Sequence, residues 1–231
     1  MRAIGTPERA EGEKRYLKSD LDFLGATVWQ IRRVVKAHTE DHPEMAHDQV
    51  VALAEALWSR PIHERRMAAT FVLEDHAAVL GPRDLKLLER LIRASRTWAL
   101  VDGLAAWALG DVVLRYPRSA SRLDRWARDG DFWVRRAALL AWLRPLKEGA
   151  PMGPFLGYAD AMLDEREFFI RKAIGWVLRE AAKTRPGEVI AWLAPRTGRA
   201  SGVTMREAVK YLDEADRERL LAAYKEKRPA A

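Results

Sequence analysis

The sequence predicts an all-α fold, an α-solenoid of stacked helix pairs with a basic concave groove, and three observations carry that reading. Apolar residues recur at helical spacing throughout the 231 residues, while alternating strand patterns are nearly absent. Pro61, Pro82, Pro117, Pro145, Pro154, Pro186 and Pro195 fall at or near segment ends, as expected of residues that cannot continue a helix. A basic-led motif also returns at a spacing near 35 residues, the length of one helix pair. These signals give about a dozen helices of ordinary length joined by short turns.

In chain order the motif reads Arg32-Arg33-Val34, Arg65-Arg66-Met67-Ala68, Arg135-Arg136-Ala137-Ala138, Arg171-Lys172-Ala173-Ile174 and Arg206-Glu207-Ala208-Val209. The separations are 33, 70, 36 and 35 residues, so the gap of 70 holds one altered copy. Stacked pairs bury a continuous core, and the second helix of each pair lines a concave surface on which the cations would align. A cation near the positive N-terminal end of a helix is slightly unfavourable, which points to a partner that holds it there. The alternative is that each basic pair only solvates a surface. Arg136 lies among Phe132, Leu139, Leu140 and Leu143, where a guanidinium needs an acid or a phosphate.

The altered copy falls at Arg96-Thr97-Trp98-Ala99-Leu100-Val101-Asp102-Gly103-Leu104. Thr97 is the expected N-cap, and Trp98 and Asp102, four residues apart, share one flank of the new helix. Two readings are open on these residues alone. Trp98 fits a core position and Asp102 a first-turn acid favoured by the helix dipole; or Asp102 is a lone carboxylate in a basic channel beside an indole.

The stretch from Glu165 to Lys183 predicts the next well-marked helix. At ~100° per residue, Ile170, Ile174, Val177, Leu178 and Ala181 form a core stripe. Phe169, Lys172, Trp176, Arg179 and Lys183 fall on the opposite side. Aromatics among cations on a face that the core does not need suit a flat, anionic partner.

The run Phe168-Phe169-Ile170-Arg171-Lys172-Ala173-Ile174-Gly175-Trp176-Val177-Leu178-Arg179-Glu180 resembles the signature of the DNA alkylation repair family, the HEAT-like-repeat DNA glycosylases of the AlkD type. The resemblance extends from about Tyr16 to about Leu212 and is most specific over 131–144 and 166–183. It implies HEAT-like helix pairs in a single domain spanning 1–231, with a charged tail after about residue 220. It further implies a monofunctional DNA glycosylase that hydrolyses the N-glycosidic bond of cationic N3- or N7-alkylated purines in duplex DNA. Trp98, Asp102, Arg136 and Trp176 match positions that such enzymes use to hold and excise a lesion, which implies catalytic roles for Asp102, Trp98 and Trp176. Arg66, Arg135, Arg136, Lys172 and Arg179 are the cations expected to meet DNA. The pattern departs at Thr97, where close relatives tend to carry a second tryptophan, and that bears on the shape of the lesion pocket.

Composition bounds the alternatives. Hydrophobic residues are 48% and charged residues 32%, the balance of a globular chain. The formal charge of +7 and the pI near 9.8 favour a polyanionic partner. Between Arg115 and Lys147, nine Lys and Arg face three acids, so the excess is local. The absence of cysteine removes disulfides and thiolate chemistry, and no metal ligand set is expected, with His38 and His42 read as solvated. No cofactor is implied. No signal-peptide core or apolar run long enough for a membrane span is visible, so a cytoplasmic, nucleoid-associated monomer bound to double-stranded DNA is expected. The competing readings are a non-catalytic DNA-binding protein of the same fold that senses damaged or branched DNA, and a protein-interaction scaffold.

Overall fold

A computed structural model of the chain describes residues 4–227. The α-helices are α1 (Pro7–Leu17), α2 (Val28–Asp41), α3 (His47–Trp58), α4 (His63–Asp75), α5 (Leu85–Ser95), α6 (Trp98–Gly103) and α7 (Gly110–Arg115), then α8 (Ala120–Trp126), α9 (Phe132–Leu140), α10 (Leu143–Lys147), α11 (Gly153–Ala161), α12 (Phe168–Ala182), α13 (Pro186–Leu193), α14 (Gly202–Ala208) and α15 (Glu214–Glu226). Among the described residues the only sheet-like pairing is one bridge between Asp22 and Ile62. The chain after Arg219 remains helical to Glu226.

The repeat is visible in the helix starts. The basic motif, or its altered form, sits in α2, α4, α6, α9, α12 and α14, which begin at residues 28, 63, 98, 132, 168 and 202. Successive separations are therefore 35, 35, 34, 36 and 34 residues. The all-α helical-repeat expectation holds, and the altered copy falls where the period puts it.

The chain forms two compact units, one ending at Ser119 and the other beginning at Ala120. In the first, α2 packs on α4 and α4 on α6; in the second, α9 packs on α12 and α12 on α14. Each unit thus lays its motif-bearing helices side by side. Their inner faces make the cores: Ile31, Val35, Ala68, Val72, Leu100, Val101 and Leu104 in the first, and Val134, Ile170, Ile174, Val177 and Leu178 in the second, are buried. Burying one such aliphatic side chain contributes about 1.5–3 kcal/mol.

Side chains start most of the helices that carry the repeat. Thr27 and Gln30 form a reciprocal capping box at α2, Asp131 accepts from the Trp133 amide at 2.8 Å, and Ser201 accepts from the Thr204 amide at 3.1 Å. At α12 the cap is Glu167, whose carboxylate accepts from the Phe169 amide at 3.2 Å. The helix therefore starts at Phe168, three residues after Glu165, where the predicted stretch began. Glu165 is meanwhile held by Arg135 in a two-point ion pair, at 3.0 and 2.9 Å.

Thr97 departs from expectation. It occupies the N-cap position of α6, but its side chain makes no capping bond, and its buried hydroxyl has no hydrogen-bond partner among the described residues. The helix it opens is also irregular: after Gly103 the backbone runs as a π-helix over Leu104–Leu109 before α7 resumes.

Candidate functional site

The first unit holds Trp98 and Asp102 one turn apart on α6, both half-buried, with Leu100 and Val101 between them fully buried. The helix therefore turns its apolar side inward and leaves the indole and the carboxylate partly reachable. Gly103 lets α6 come this close to α4, because a Cβ there would lie 2.5 Å from the Thr70 methyl. The Trp98 ring also meets Tyr16 edge to face, with centroids 6.1 Å apart at 89°. Tyr16 is 72% exposed, so an aromatic from α1 flanks the indole at the surface.

In the second unit, α12 separates its faces as the helical wheel predicts. Ile170, Ile174, Val177, Leu178 and Ala181 are buried; Phe169, Trp176 and Arg179 are half-buried; Lys172 and Lys183 are exposed. Gly175, just before Trp176, does for α12 what Gly103 does for α6. A Cβ there would lie 2.7 Å from the Glu207 side chain and 2.9 Å from the Thr204 carbonyl on α14.

Four of the five cations expected to meet DNA, Arg66, Arg135, Arg136 and Arg179, have partners inside the fold. In three copies the first cation ties down the chain that leads into its own helix, whereas Arg32 of the first copy pairs with Glu74 and Asp75 at the end of α4. Arg65 donates to the Ala56 carbonyl at 3.0 Å, Arg135 to Asp129 at 2.6 Å, and Arg171 to Glu165 at 2.6 Å. In two copies the second cation reaches the following repeat: Arg66 donates to the Ala94 carbonyl at 2.9 Å, and Arg136 to the Phe169 carbonyl. Arg179 similarly pairs with Glu207 on α14 and with Glu180 at 3.2 Å.

Arg136 is 2% exposed, and its guanidinium lies 5.8 Å from the Phe169 ring centre. One partner of this buried group is a backbone carbonyl, and at 2% exposure little of it is left to offer a phosphate. Arg135, with Glu165 and the Asp129 carbonyl on it, is likewise engaged. Among the five cations expected to meet DNA, Lys172 is the exposed one, resting 6.0 Å from the Phe168 ring without an ion-pair partner among the described residues.

Sequence reasoning passed over an aromatic cluster at the starts of α9 and α12. Phe132, Trp133, Phe168 and Phe169 contact one another, with Trp133 to Phe169 at 4.8 Å and Phe132 to Phe169 at 6.3 Å and nearly parallel. The signal was present in the repeat itself: Phe132-Trp133 and Phe168-Phe169 occupy the same two positions, three residues ahead of each basic pair. Tyr16 gave no such signal, because its contact with Trp98 crosses 82 positions.

The family model described as DNA alkylation repair enzyme matches residues 1–212. The chain belongs to that family. Membership makes DNA repair its role and DNA its partner. A predicted DNA alkylation repair enzyme from Enterococcus faecalis has a similar structure, at 23% identity and TM-score 0.77, covering 91% of this chain and 98% of its own. AlkD2 from Streptococcus mutans is similar at 16% identity and TM-score 0.62, covering 88% of this chain and 99% of its own. At these identities the two neighbours establish the fold of this family member. No curated relative matches the sequence.

Proposed function

We propose that this family member is a monofunctional DNA glycosylase that removes cationic N3- and N7-alkylated purines from duplex DNA. The observation that carries the reading is the pair Trp98 and Asp102, one turn apart and partly reachable on the altered repeat of a DNA alkylation repair protein. In α2, α4, α9 and α12 the motif opens with a cation that ties the fold together. The altered copy on α6 presents a carboxylate and an indole instead.

The chemistry suits one carboxylate. An N-alkylated purine carries a positive charge and leaves as a neutral base, so it needs no strong acid to assist it. The C1′–N bond breaks with its electron pair going to the base, and positive charge develops on the sugar. Asp102 stabilises that charge and accepts hydrogen-bonding from the water that attacks C1′, the water proton passing to the carboxylate or to solvent. An indole beside the cationic nucleotide contributes roughly 0.5–2 kcal/mol through its face, a role that falls to Trp98, one turn from Asp102. Arg136 acts as a positioning residue, since its bond to the Phe169 carbonyl fixes the first turn of the helix that carries Trp176.

The test is release of 7-methylguanine from methylated duplex DNA by the wild type and by Asp102→Asn. Release by the wild type, lost in the variant while duplex binding stays, supports the reading. Release by both removes Asp102 as the catalytic carboxylate. No release by either, with DNA binding intact, favours the non-catalytic sensor.

A further inference from the structure

With six of the motif cations, Arg32, Arg65, Arg66, Arg135, Arg136 and Arg171, engaged inside the fold, α5 supplies a further concentrated source of positive charge for DNA. Leu85, Leu88, Leu91, Ile92 and Ser95 bury one side of this helix. Its other side lines a cleft of about 500 Å³ with Lys86, Glu89, Arg90, Arg93, Ala94 and Arg96. Four cations and one acid thus share a single stripe, three or four residues apart. Arg90 is paired with Glu55, and Arg93 with Glu89 at 2.8 Å. Lys86 and Arg96 have no ion-pair partner among the described residues, so the net charge of the cleft stays positive.

Arg96 gives a second, independent pointer. It ends α5 in the left-handed region, at φ 50°, where glycine would sit without strain. An arginine there carries a backbone cost that glycine would not, and the residue is exposed and lines the cleft. The same residue lies two positions before Trp98. The floor of the cleft is tied to the neighbouring repeat as well, because the Ala94 carbonyl accepts from Arg66.

We infer that this cleft holds backbone phosphates of duplex DNA, on the first helix of its pair, in addition to any contact made by the motif helices. Lys86 and Arg96 lie ten residues apart, about 15 Å along the helix axis, which suits an extended polyanion rather than a single anion. Such contacts set register and orientation without reading base sequence. The inference rests on the proposed role in DNA, but its test does not depend on catalysis.

The test is binding of an undamaged duplex by the full chain over a range of salt concentrations, with Lys86→Gln and Arg96→Gly made separately and together. Each phosphate contact contributes about 0.9 to the slope of log affinity against log salt. The double variant should therefore lose about 1.8 from the slope and bind at least tenfold more weakly at low salt. Arg96→Gly relieves the left-handed strain, so its melting temperature should hold while its slope falls, which separates a lost contact from a damaged fold. An unchanged slope in the double variant overturns the cleft assignment and leaves the glycosylase reading standing. A wild type whose duplex binding ignores salt overturns both. If polyglutamate displaces the duplex at equal charge concentration, the cleft favours an acidic protein and the nucleic-acid assignment falls.

Discussion

Two helices of the repeat, residues 98–115 in the first unit and α12 in the second, solve the same packing problem in different ways. Each sets a glycine against a neighbouring helix, Gly103 against Thr70 and Gly175 against Thr204 and Glu207, and each places a half-buried tryptophan near that glycine. In α12 the regular 3.6-residue period runs through fifteen residues, and the cations around Trp176 are exposed or paired with acids. In 98–115 the helix loosens into a π segment directly after Asp102, and no basic pair opens it. Loosened turns of this kind disturb side-chain register at a stability cost, and they recur at functional sites. The difference teaches that the repeat's cations serve mainly the fold, and that the helix proposed to carry the site is relieved of that duty.

The largest expected contrast between the two helices is chemical. Asp102→Asn should slow single-turnover base release about 10²–10³-fold with little change in duplex affinity. Lys172→Ala should instead lower the salt slope of binding by about 0.9. If the two variants behaved alike, the division between a chemical helix and a binding helix would fail.

Next comes acid sensitivity, because all five histidines lie in the first unit. Burial drives His63 down to about 4 from 6.5, and burial lowers His76 in the same direction. A depressed histidine is neutral in the fold but protonates when the chain unfolds, so its contribution is lost as pH falls from 6.5 toward 4. For His63 this amounts to on the order of 3 kcal/mol. His47 has the opposite sign. Its bonds to Asp48 at 2.7 Å and Asp84 at 2.8 Å raise it, so its contribution is present below 6.5 and lost as pH rises through the folded value. Hydrogen exchange between pH 7 and pH 4.5 should therefore show the first unit opening before the second. Simultaneous opening, or the second unit first, would contradict this.

The two glycines sharpen the comparison further. Gly175→Ala meets backbone as well as side-chain atoms on α14 and should cost about 2 kcal/mol by chemical denaturation. Gly103→Ala meets only the Thr70 methyl, and the gain in helix propensity of roughly 1 kcal/mol offsets part of the clash, so its net cost should be the smaller. The reverse order would mean that α6 sits more tightly on α4 than its contact implies. Smallest is Trp176→Ala, half-buried and off the core stripe, for which a loss near 1 kcal/mol is expected in the same assay. A loss above about 3 kcal/mol would make Trp176 a core residue.

Much of this was legible in the chain. The 35-residue period located every motif helix, including the altered copy at Trp98, because each helix pair must repeat the same apolar spacing to stack on its neighbours. The two faces of α12 followed from its wheel for the same reason. The signature Phe168–Glu180 likewise led to the family over nearly the whole chain. What the sequence by itself determined was thus the fold, the repeat and its exception, all of which are local patterns. Only the tertiary structure decided where the cations go. Whether Arg66, Arg135 or Arg136 reaches outward or bonds a carbonyl depends on atoms from 6 to 33 residues away, brought near by packing that no local spacing encodes. The same holds for Tyr16 against Trp98 and for the silent hydroxyl of Thr97: their partners, or the lack of them, are fixed by how the helices come together.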